Sequence, residues 1–322
     1  EDRLLYNNKV CGANRISFGM QDFDINVQRR VNRKQPAELF KQILTKEVRK
    51  VYKEIAFDFL IGLPGQTTES IAITCDKIIE LKPTLVQLSL MAYKPWVAKY
   101  QIKMLAEGPL PDFLERKELL EVINKKLSAG GYIRSGFECY SLPDSPMTKA
   151  FEGATAHYGA SGHQTGGPVN FIAVGSSATS NLGDDYYSQN FYDITSYKKF
   201  LDQGKLPTFR GMKLSKDDQI RQYATQQLRS YFKIDFKNLE KNFGVDIKEY
   251  FSKEIEYLEG MIKDGLVIVS DDGIEMTLLG RDFSQNISNV FDKYDPPAKS
   301  YNERLATIKK AKAEQAKFQE LI

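Results

Sequence analysis

Apolar runs alternate with amphipathic segments along the first 130 residues. The apolar runs are rich in β-branched and aromatic residues, which is typical of strands, and they lie at residues 15–20, 55–63 and 85–93. Helical spacing of apolar positions follows each run, to about residue 52, then over residues 67–81, then over residues 113–129. Strands and helices that alternate in this way predict parallel βαβ units, so we expect an α/β fold.

The predicted strands are mostly apolar, which is expected of a sheet that is covered on both faces. Three such strands are too few to close a barrel. In α/β sheets, ligands collect at the carboxyl ends of the strands, where the loops leave. The pattern therefore places Gln21 and Asp22, the loop at residues 62–66 and the segment at residues 92–95 on one rim.

Two features of this rim and its strands permit more than one interpretation. The loop GLPGQTTES combines glycines for tight turns with the capping oxygens of Thr67 and Thr68, and an ordinary structural turn explains it without any ligand. Asp58 interrupts an apolar strand in FDFLIG. A buried acid needs a partner or a polar cavity, so an ion pair and a functional site both stay open for Asp58.

The pattern loosens in the middle of the chain and tightens again after residue 210. The glycine- and serine-rich segment contains both histidines, His157 and His163, and long segments of this kind are often functional loops. A metal site is disfavoured because no Cys or carboxylate lies at ligand spacing from the histidines. We expect four parts, at residues 1–140 (part of the α/β domain), 141–210 (a connecting segment on the substrate side), 211–295 (a C-terminal domain) and 296–322 (a helical tail).

The C-terminal domain has the pattern of a winged helix, with three helical segments followed by the hairpin LVIVSDDGIEMT and its Asp-Asp-Gly turn. Winged helices often bind DNA through the third helix. Residues 248–264 carry three lysines against five acidic residues, and an acidic helix repels phosphate. We therefore expect no nucleic-acid partner.

Composition supports an ordinary globular protein. The chain has 322 residues, 42% of them hydrophobic, which is enough for two domains, and its net charge of +3 does not indicate a nucleic-acid or membrane partner. No apolar run reaches the ~18 residues of a membrane span. Cys11, Cys75 and Cys139 are too far apart in sequence to indicate a disulfide framework or a close-spaced metal site, so we expect buried thiols in a cytoplasmic protein.

Six motifs in order resemble the oxygen-independent coproporphyrinogen III oxidases, a family of radical S-adenosylmethionine (SAM) enzymes. They are GANRISFGMQDFDINVQRRVNR, FDFLIGLPGQT, MAYKP, VGSSATSNLGD, RGMKLSKDDQIR and DGLVIVSDDGIEMT with GRDFSQNI. The resemblance extends in register from about residue 12 to residue 294. It implies part of a radical SAM (β/α)6 partial barrel, followed by a helical winged-helix-like C-terminal domain.

The resemblance also implies the chemistry. In the family, a reduced 4Fe-4S cluster cleaves SAM, and the resulting radical takes a hydrogen atom from a propionate side chain of coproporphyrinogen III. Loss of carbon dioxide and one electron then leaves a vinyl group. The resemblance thus implies SAM and a 4Fe-4S cluster as cofactors, a porphyrinogen substrate, an electron donor, and a monomer for the full-length family.

Five positions match SAM-binding positions of the family. They are Gln21, Arg33, Asp58, Ala92 and Thr179, and the family usually has isoleucine at the last. No catalytic residue and no metal ligand is assigned within the chain. The amide of Gln21 can donate and accept hydrogen bonds, and Arg33 offers a fork that suits a carboxylate.

Two departures from the family pattern leave alternatives open. The CxxxCxxC cluster motif, the glycine-rich SAM motif and the SAM-binding glutamate precede residue 12 in the family, so we expect the cluster ligands upstream of Glu1 and an inactive chain on its own. The segment YGASGHQTGGPVN also departs from the family pattern. A haem-binding or haem-processing relative is the second hypothesis, with His157 and His163 as candidate axial ligands, and a winged-helix DNA binder is the third.

Overall fold

The computed structural model describes residues 1–93, 100–159, 162–166, 170–183 and 185–294. Within these ranges the chain divides into two units. Unit 1 contains residues 1–156 and 162–165, and unit 2 contains the other described residues. The expected limits at residues 140, 210 and 295 stay predictions, and the expected helical tail at 296–322 lies outside the described residues.

Unit 1 is built on a mixed sheet whose parallel part follows the predicted strands. The strands are β1 (Arg15–Gln21), β2 (Glu54–Ile61), β3 (Leu85–Leu90), β4 (Ile133–Arg134) and β5 (Cys139–Ser141). Their order in the sheet is β1-β2-β3-β5-β4, in which β1, β2 and β3 are parallel and the two short strands at the other side are antiparallel. The parallel arrangement confirms the predicted α/β class.

Capping residues, a left-handed residue and a proline set several of the helix limits in unit 1. Thr67 and Asp112 each form a capping box at the start of a helix. The continuous helical segment expected up to residue 52 is instead three short helices, because Asn32 takes a left-handed conformation and Pro36 precedes the second. The helices are α1 (Asp2–Cys11), α2 (Ile25–Arg30), α3 (Ala37–Ile43), α4 (Lys46–Val51), α5 (Thr68–Leu81), α6 (Tyr100–Ala106), α7 (Phe113–Ala129) and α8 (Pro146–Glu152).

The two faces of the parallel strands differ in chemistry. One face packs into the core of unit 1 through alternate residues of β2 such as Ile55, Phe57 and Phe59. The opposite face is polar, and we define this polar face by Arg15, Ser17, Gly19, Glu54, Asp58 and Gln87. Ala56 and Leu85 on this same face are fully buried, which agrees with the expected sheet covered on both faces, and the acid in FDFLIG belongs to a group of polar side chains.

Unit 2 contains the predicted helices and hairpin. Its helices are α9 (Ile194–Asp202), α10 (Lys216–Tyr231), α11 (Phe236–Phe243), α12 (Ile247–Tyr250), α13 (Ser252–Tyr257), α14 (Glu259–Lys263) and α15 (Ser284–Asn289), with a 3-10 helix at Gly280–Phe283. The hairpin strands β12 (Val267–Val269) and β13 (Gly273–Met276) are antiparallel, and β11 (Lys233–Asp235) pairs with β13. The predicted hairpin is confirmed, whereas the predicted third helix is split into three short ones.

The glycine-rich segment contains strands that its sequence does not predict. β8 (Thr179–Leu182), β9 (Tyr186–Asn190) and β10 (Thr208–Lys213) form an antiparallel sheet in unit 2. Two further short strands are β6 (His157–Gly159) in unit 2 and β7 (Gly162–Gln164) in unit 1. Within the described ranges, no helix is long and apolar enough to cross a membrane.

Candidate functional site

The strand β1 ends in a strained turn that directs Gln21 over the polar face. A register shift lies between Gly19 and Gln21, and Gln21 has a φ of 61°, a left-handed conformation that L residues seldom adopt. Its side chain lies above Gly19, where Nε2 is 2.8 Å from the position that a Cβ on Gly19 would occupy. The Gln21 carboxamide has no hydrogen-bond partner in the part of the chain that the structure describes.

Arg33 reaches the same point from the turn after α2. Its backbone N–H donates to the carbonyl of Gln28 at 2.8 Å, and its Nε donates to Oε1 of Gln35 at 2.7 Å. One Nη nitrogen lies 3.2 Å from the Cβ position of Gly19. Because only Nε is engaged among the described residues, the Nη edge of the guanidinium is available to a ligand.

Asp58 stands on β2 directly opposite Gly19 in the strand register. Its Oδ2 accepts a hydrogen bond from the hydroxyl of Ser17 at 2.6 Å. Burial raises the pKa of Asp58, and the Ser17 hydrogen bond and the charge of Arg15 oppose that shift. Among the described residues Asp58 has no ion-pair partner, so the structural ion pair that the sequence left open is not formed there.

The structure thus brings Gln21, Arg33 and Asp58 together around Gly19. Ala92 follows β3 at the same carboxyl edge of the sheet, where it is exposed and its carbonyl accepts a hydrogen bond from Gln101 at 3.1 Å. Thr179 belongs to unit 2, where it begins β8 and is half-buried. Ala92 and Thr179 therefore stay predicted site residues.

Arg29 and Arg30, the other two arginines of the basic segment after β1, have different surroundings. Arg30 donates to the carbonyl of Glu107 at 2.8 Å and lies against Gly65, whose Cβ position would be 2.8 Å from Nε. Arg30 therefore connects the loop after β2 with the segment after α6, which is a structural role. Arg29 is exposed and lines, with Arg30, a cavity of about 440 Å³ between α2 and the start of α5.

A buried set of hydrogen bonds behind the site was not predicted from the sequence. Asp22 is fully buried, and its carboxylate accepts from the hydroxyl of Thr74 and the amide of Gln66, each at 2.7 Å. Gln66 in turn accepts from the backbone N–H groups of Gly62 and Leu63. Burial raises the pKa of Asp22, and these hydrogen bonds oppose that shift. No sequence signal separates such residues from ordinary turn and cap residues.

Both histidines are buried in settings unlike an open ligand site. Nε2 of His157 lies 3.1 Å from Nε2 of Gln226 in unit 2, and the ring of His163 lies against the backbone of Gly136 in unit 1. The described residues contain no group of three or more His, Cys, Asp or Glu that could hold a metal ion. The histidines thus lend no support to the haem hypothesis.

The cysteines do not fit a 4Fe-4S cluster, which needs thiolates that converge on one centre. Cys75 and Cys139 are buried, and burial raises the pKa of each thiol to about 12. Cys11 is exposed at the end of α1, so the expectation of three buried thiols is wrong for this residue because the end of its helix faces solvent. The described part of the chain therefore provides no cluster ligand set.

Comparisons with known proteins agree with this architecture. The model of the HemN C-terminal domain matches residues 214–283. Curated relatives named oxygen-independent coproporphyrinogen III oxidase include those of Pseudomonas aeruginosa, 36% identical over 89% of this chain, and of Helicobacter pylori strain 26695, 34% identical over 88%. The chain spans 62% of the length of each of these relatives.

A solved structure matches as well. It is the structure described as "Coproporphyrinogen III oxidase (HemN) from Escherichia coli is a Radical SAM enzyme", and it superposes with a TM-score of 0.81 at 32% identity. The match covers 91% of this chain and 67% of that chain. The match confirms the expected fold, a partial barrel followed by a helical C-terminal domain.

Proposed function

The chain belongs to the family of oxygen-independent coproporphyrinogen III oxidases, and from that premise we propose that unit 1 forms part of the SAM site of such an enzyme. The whole protein would convert propionate side chains of coproporphyrinogen III to vinyl groups. The observation that supports this most is the convergence of Gln21, Arg33 and Asp58 over Gly19, where the first two leave polar groups without partners among the described residues.

These three side chains fit the polar groups of SAM. The Nη edge of Arg33 can donate two hydrogen bonds to the carboxylate of the methionyl part. Asp58 offers a carboxylate to a cationic or hydroxyl group, and Gln21 can donate or accept. When bound beside a reduced cluster, SAM supplies the radical chemistry of the family. The residues of this chain bind and orient SAM.

The cluster itself is proposed to take its ligands from sequence outside this chain. The described thiols do not fit that role, since Cys75 is buried in the core of unit 1, Cys139 is buried on β5 opposite Gln87, and Cys11 is exposed on α1. Within the described ranges they belong to no group of three that could hold a metal ion. An electron donor would reduce the cluster. We assign the whole protein to the cytoplasm as a monomer, with coproporphyrinogen III as its substrate.

Calorimetric titration of SAM into the 322-residue chain tests the proposed site. Arg33→Ala removes a charged donor whose hydrogen bonds to a carboxylate are worth about 1.5 to 3 kcal/mol, so the Kd should rise roughly ten- to a hundredfold. Arg29→Ala is the matched control, since Arg29 is an exposed arginine of the same segment. Equal SAM affinity in Arg33→Ala and the unchanged chain would contradict the proposed site.

A further inference from the structure

The strained turn at Gln21 is held by the residue that follows it. The backbone N–H of Asp22 donates to the carbonyl of Met20 at 2.8 Å, so a three-residue turn closes with Gln21 at its centre. A left-handed conformation at a residue other than glycine is unfavourable, and it persists only where the surrounding structure imposes it. The contacts of Asp22 therefore decide where the carboxamide of Gln21 lies.

Hydrogen bonds hold both carboxylate oxygens of Asp22. One carboxylate oxygen accepts from the backbone N–H of Asp24 and the hydroxyl of Thr74, and the other accepts from the amide of Gln66, all at 2.7 Å. The hydroxyl of Thr74 also accepts from the backbone N–H of Phe23 at 3.2 Å. These bonds join the turn after β1 to α5 and to the loop after β2.

A second set of hydrogen bonds links Asp22 to Arg33 through Gln28 and Gln35. The buried amide of Gln28 donates to the carbonyls of Asp22 and Gln35, each at 2.8 Å, and its oxygen accepts from the backbone N–H of Gln35 at 2.9 Å. The side chain of Gln35 then accepts from Nε of Arg33 at 2.7 Å. We call Asp22, Gln28, Gln35, Gln66 and Thr74 the rim network.

We infer that the rim network is a positioning device that sets Gln21 and Arg33 together for one ligand. This inference rests on the proposed SAM site. The network reaches both side chains from behind. Four of its members are buried and the fifth, Gln35, is half-buried. The donors of Gln21 and the Nη edge of Arg33 stay unpaired among the described residues. Loss of one link should move both binding groups without removing either.

The test compares two substitutions of the buried Thr74, one that removes its hydroxyl without changing its shape and one that keeps the hydroxyl. Thr74→Val removes the hydroxyl that bridges Asp22 and Phe23, and Thr74→Ser keeps it. Thr148→Val is the matched control, because Thr148 is an equally buried threonine of unit 1 whose hydroxyl bonds to Ser141 and to the carbonyl of Leu142. Gln28→Met is a second variant that cuts the link to Arg33 and leaves α5 unchanged.

Two measurements are made on the 322-residue chain. Backbone amide hydrogen exchange reports the turn without any ligand, and the N–H groups of Asp22 and Asp24 should exchange at least tenfold faster in Thr74→Val than in Thr148→Val. Calorimetry should give at least a fivefold higher Kd for SAM in Thr74→Val and in Gln28→Met. Thr74→Ser should bind within twofold of the unchanged chain.

The outcomes separate this inference from the proposed function. If the unchanged chain binds no SAM but exchange rises at Asp22 and Asp24 in Thr74→Val alone, the proposed SAM site is contradicted, while the part of the inference by which the network fixes the turn at Gln21 is supported. If SAM binds and Thr74→Val binds it as tightly as the unchanged chain does, the positioning role is overturned. It is equally overturned if Thr148→Val weakens SAM binding as much as Thr74→Val does.

Discussion

At the scale of single residues, the candidate site depends on Gly19, because its missing side chain leaves the space that Gln21 and Arg33 occupy. It lies in β1 with an ordinary extended backbone, so alanine would fit the strand conformation. An added Cβ would meet the side-chain ends of Gln21 and Arg33, at 2.8 and 3.2 Å. Both neighbours are flexible ends that can move aside. The glycine therefore serves the placement of these groups more than the stability of the strand.

Gly19→Ala should change ligand binding and leave the fold intact. We expect the free energy of unfolding to change by no more than about 1 kcal/mol. The side-chain ends of Gln21 and Arg33 can move away from the new Cβ, and alanine lowers the conformational entropy of the unfolded chain, which favours the folded state. The Kd for SAM should rise severalfold. Gly260→Ala in unit 2, where a Cβ meets nothing within 4 Å, is the control that should leave SAM binding unchanged. Unfolding of Gly19→Ala at markedly lower temperature would show instead that the glycine is structural.

Asp58 should behave as a binding residue in its response to pH. Burial raises its pKa, with the Ser17 hydrogen bond and Arg15 opposing the shift, so the folded chain holds the proton at higher pH than the unfolded chain does. Ionised Asp58 therefore lowers the stability of the fold as pH rises through the folded pKa. Asp58→Asn should melt at the same or a higher temperature at pH 7, and the difference should vanish near pH 4.

SAM binding distinguishes this interpretation of Asp58 from a structural one. Asn keeps the shape and can still accept from Ser17, but it carries no charge for a cationic group. We expect Asp58→Asn to lose most of its SAM affinity at pH 7 in calorimetry while its melting temperature is kept. A variant that melts early yet binds SAM normally would remove Asp58 from the site.

At the scale of elements, the sequence pattern predicts long periodic segments and misses short polar ones. The helix expected at residues 113–129 is found with those limits, and the three parallel strands lie where their apolar runs predict. The strands β8 to β10 were missed because β10 is exposed throughout and β8 is half-buried, so neither shows a strong apolar alternation. Asp22 and Gln28 were missed because burial of a polar side chain depends on distant residues.

A charged cluster ties the start of α10 to the segment after α15 in unit 2. Lys293 lies 2.8 Å from Oδ2 of Asp217 and 2.6 Å from Oδ1 of Asp218, and Tyr294 donates to Asp218 at 2.8 Å. Burial raises the pKa of Asp218, but the hydrogen bonds from Lys293 and Ser215 outweigh it and hold that pKa well below its usual range. The cluster thus contributes stability at neutral pH.

Lys293→Met should lower the free energy of unfolding of unit 2 by about 1 to 2 kcal/mol at pH 7, because Asp217 and Asp218 lose the cation that they share. Asp217 keeps its ion pair with Arg221, and Asp218 keeps its hydrogen bond from Ser215. The folded pKa of Asp218 is lowered, so its contribution is present above the unfolded value near 3.9 and is lost as pH falls below it. Denaturant unfolding at pH 7 and pH 3 should show the difference shrinking. Lys237→Met, which breaks a pair exposed at 81% and 79%, is the control with little expected effect.

At the scale of the whole molecule, the chain has a candidate ligand surface but no cluster ligands among its described residues. A radical SAM cluster needs three thiolates on one centre. Cys75 lies on a helix and Cys139 on β5, both buried with pKa values of about 12, and Cys11 lies exposed on α1. Within the described ranges these thiols form no group that could hold a metal ion, so they do not provide the three ligands.

Anaerobic reconstitution of the 322-residue chain with iron and sulfide should therefore leave no stoichiometric cluster after desalting, and the chain should not cleave SAM. Optical absorption, electron paramagnetic resonance and iron content measure the first result, and analysis of the SAM cleavage products measures the second. The Escherichia coli enzyme, treated in parallel, is the positive control. SAM binding by calorimetry should persist in the same preparation, because Gln21, Arg33 and Asp58 do not depend on the thiols for their positions. A stoichiometric signal that changes on addition of SAM would contradict this prediction and place cluster ligands within the chain.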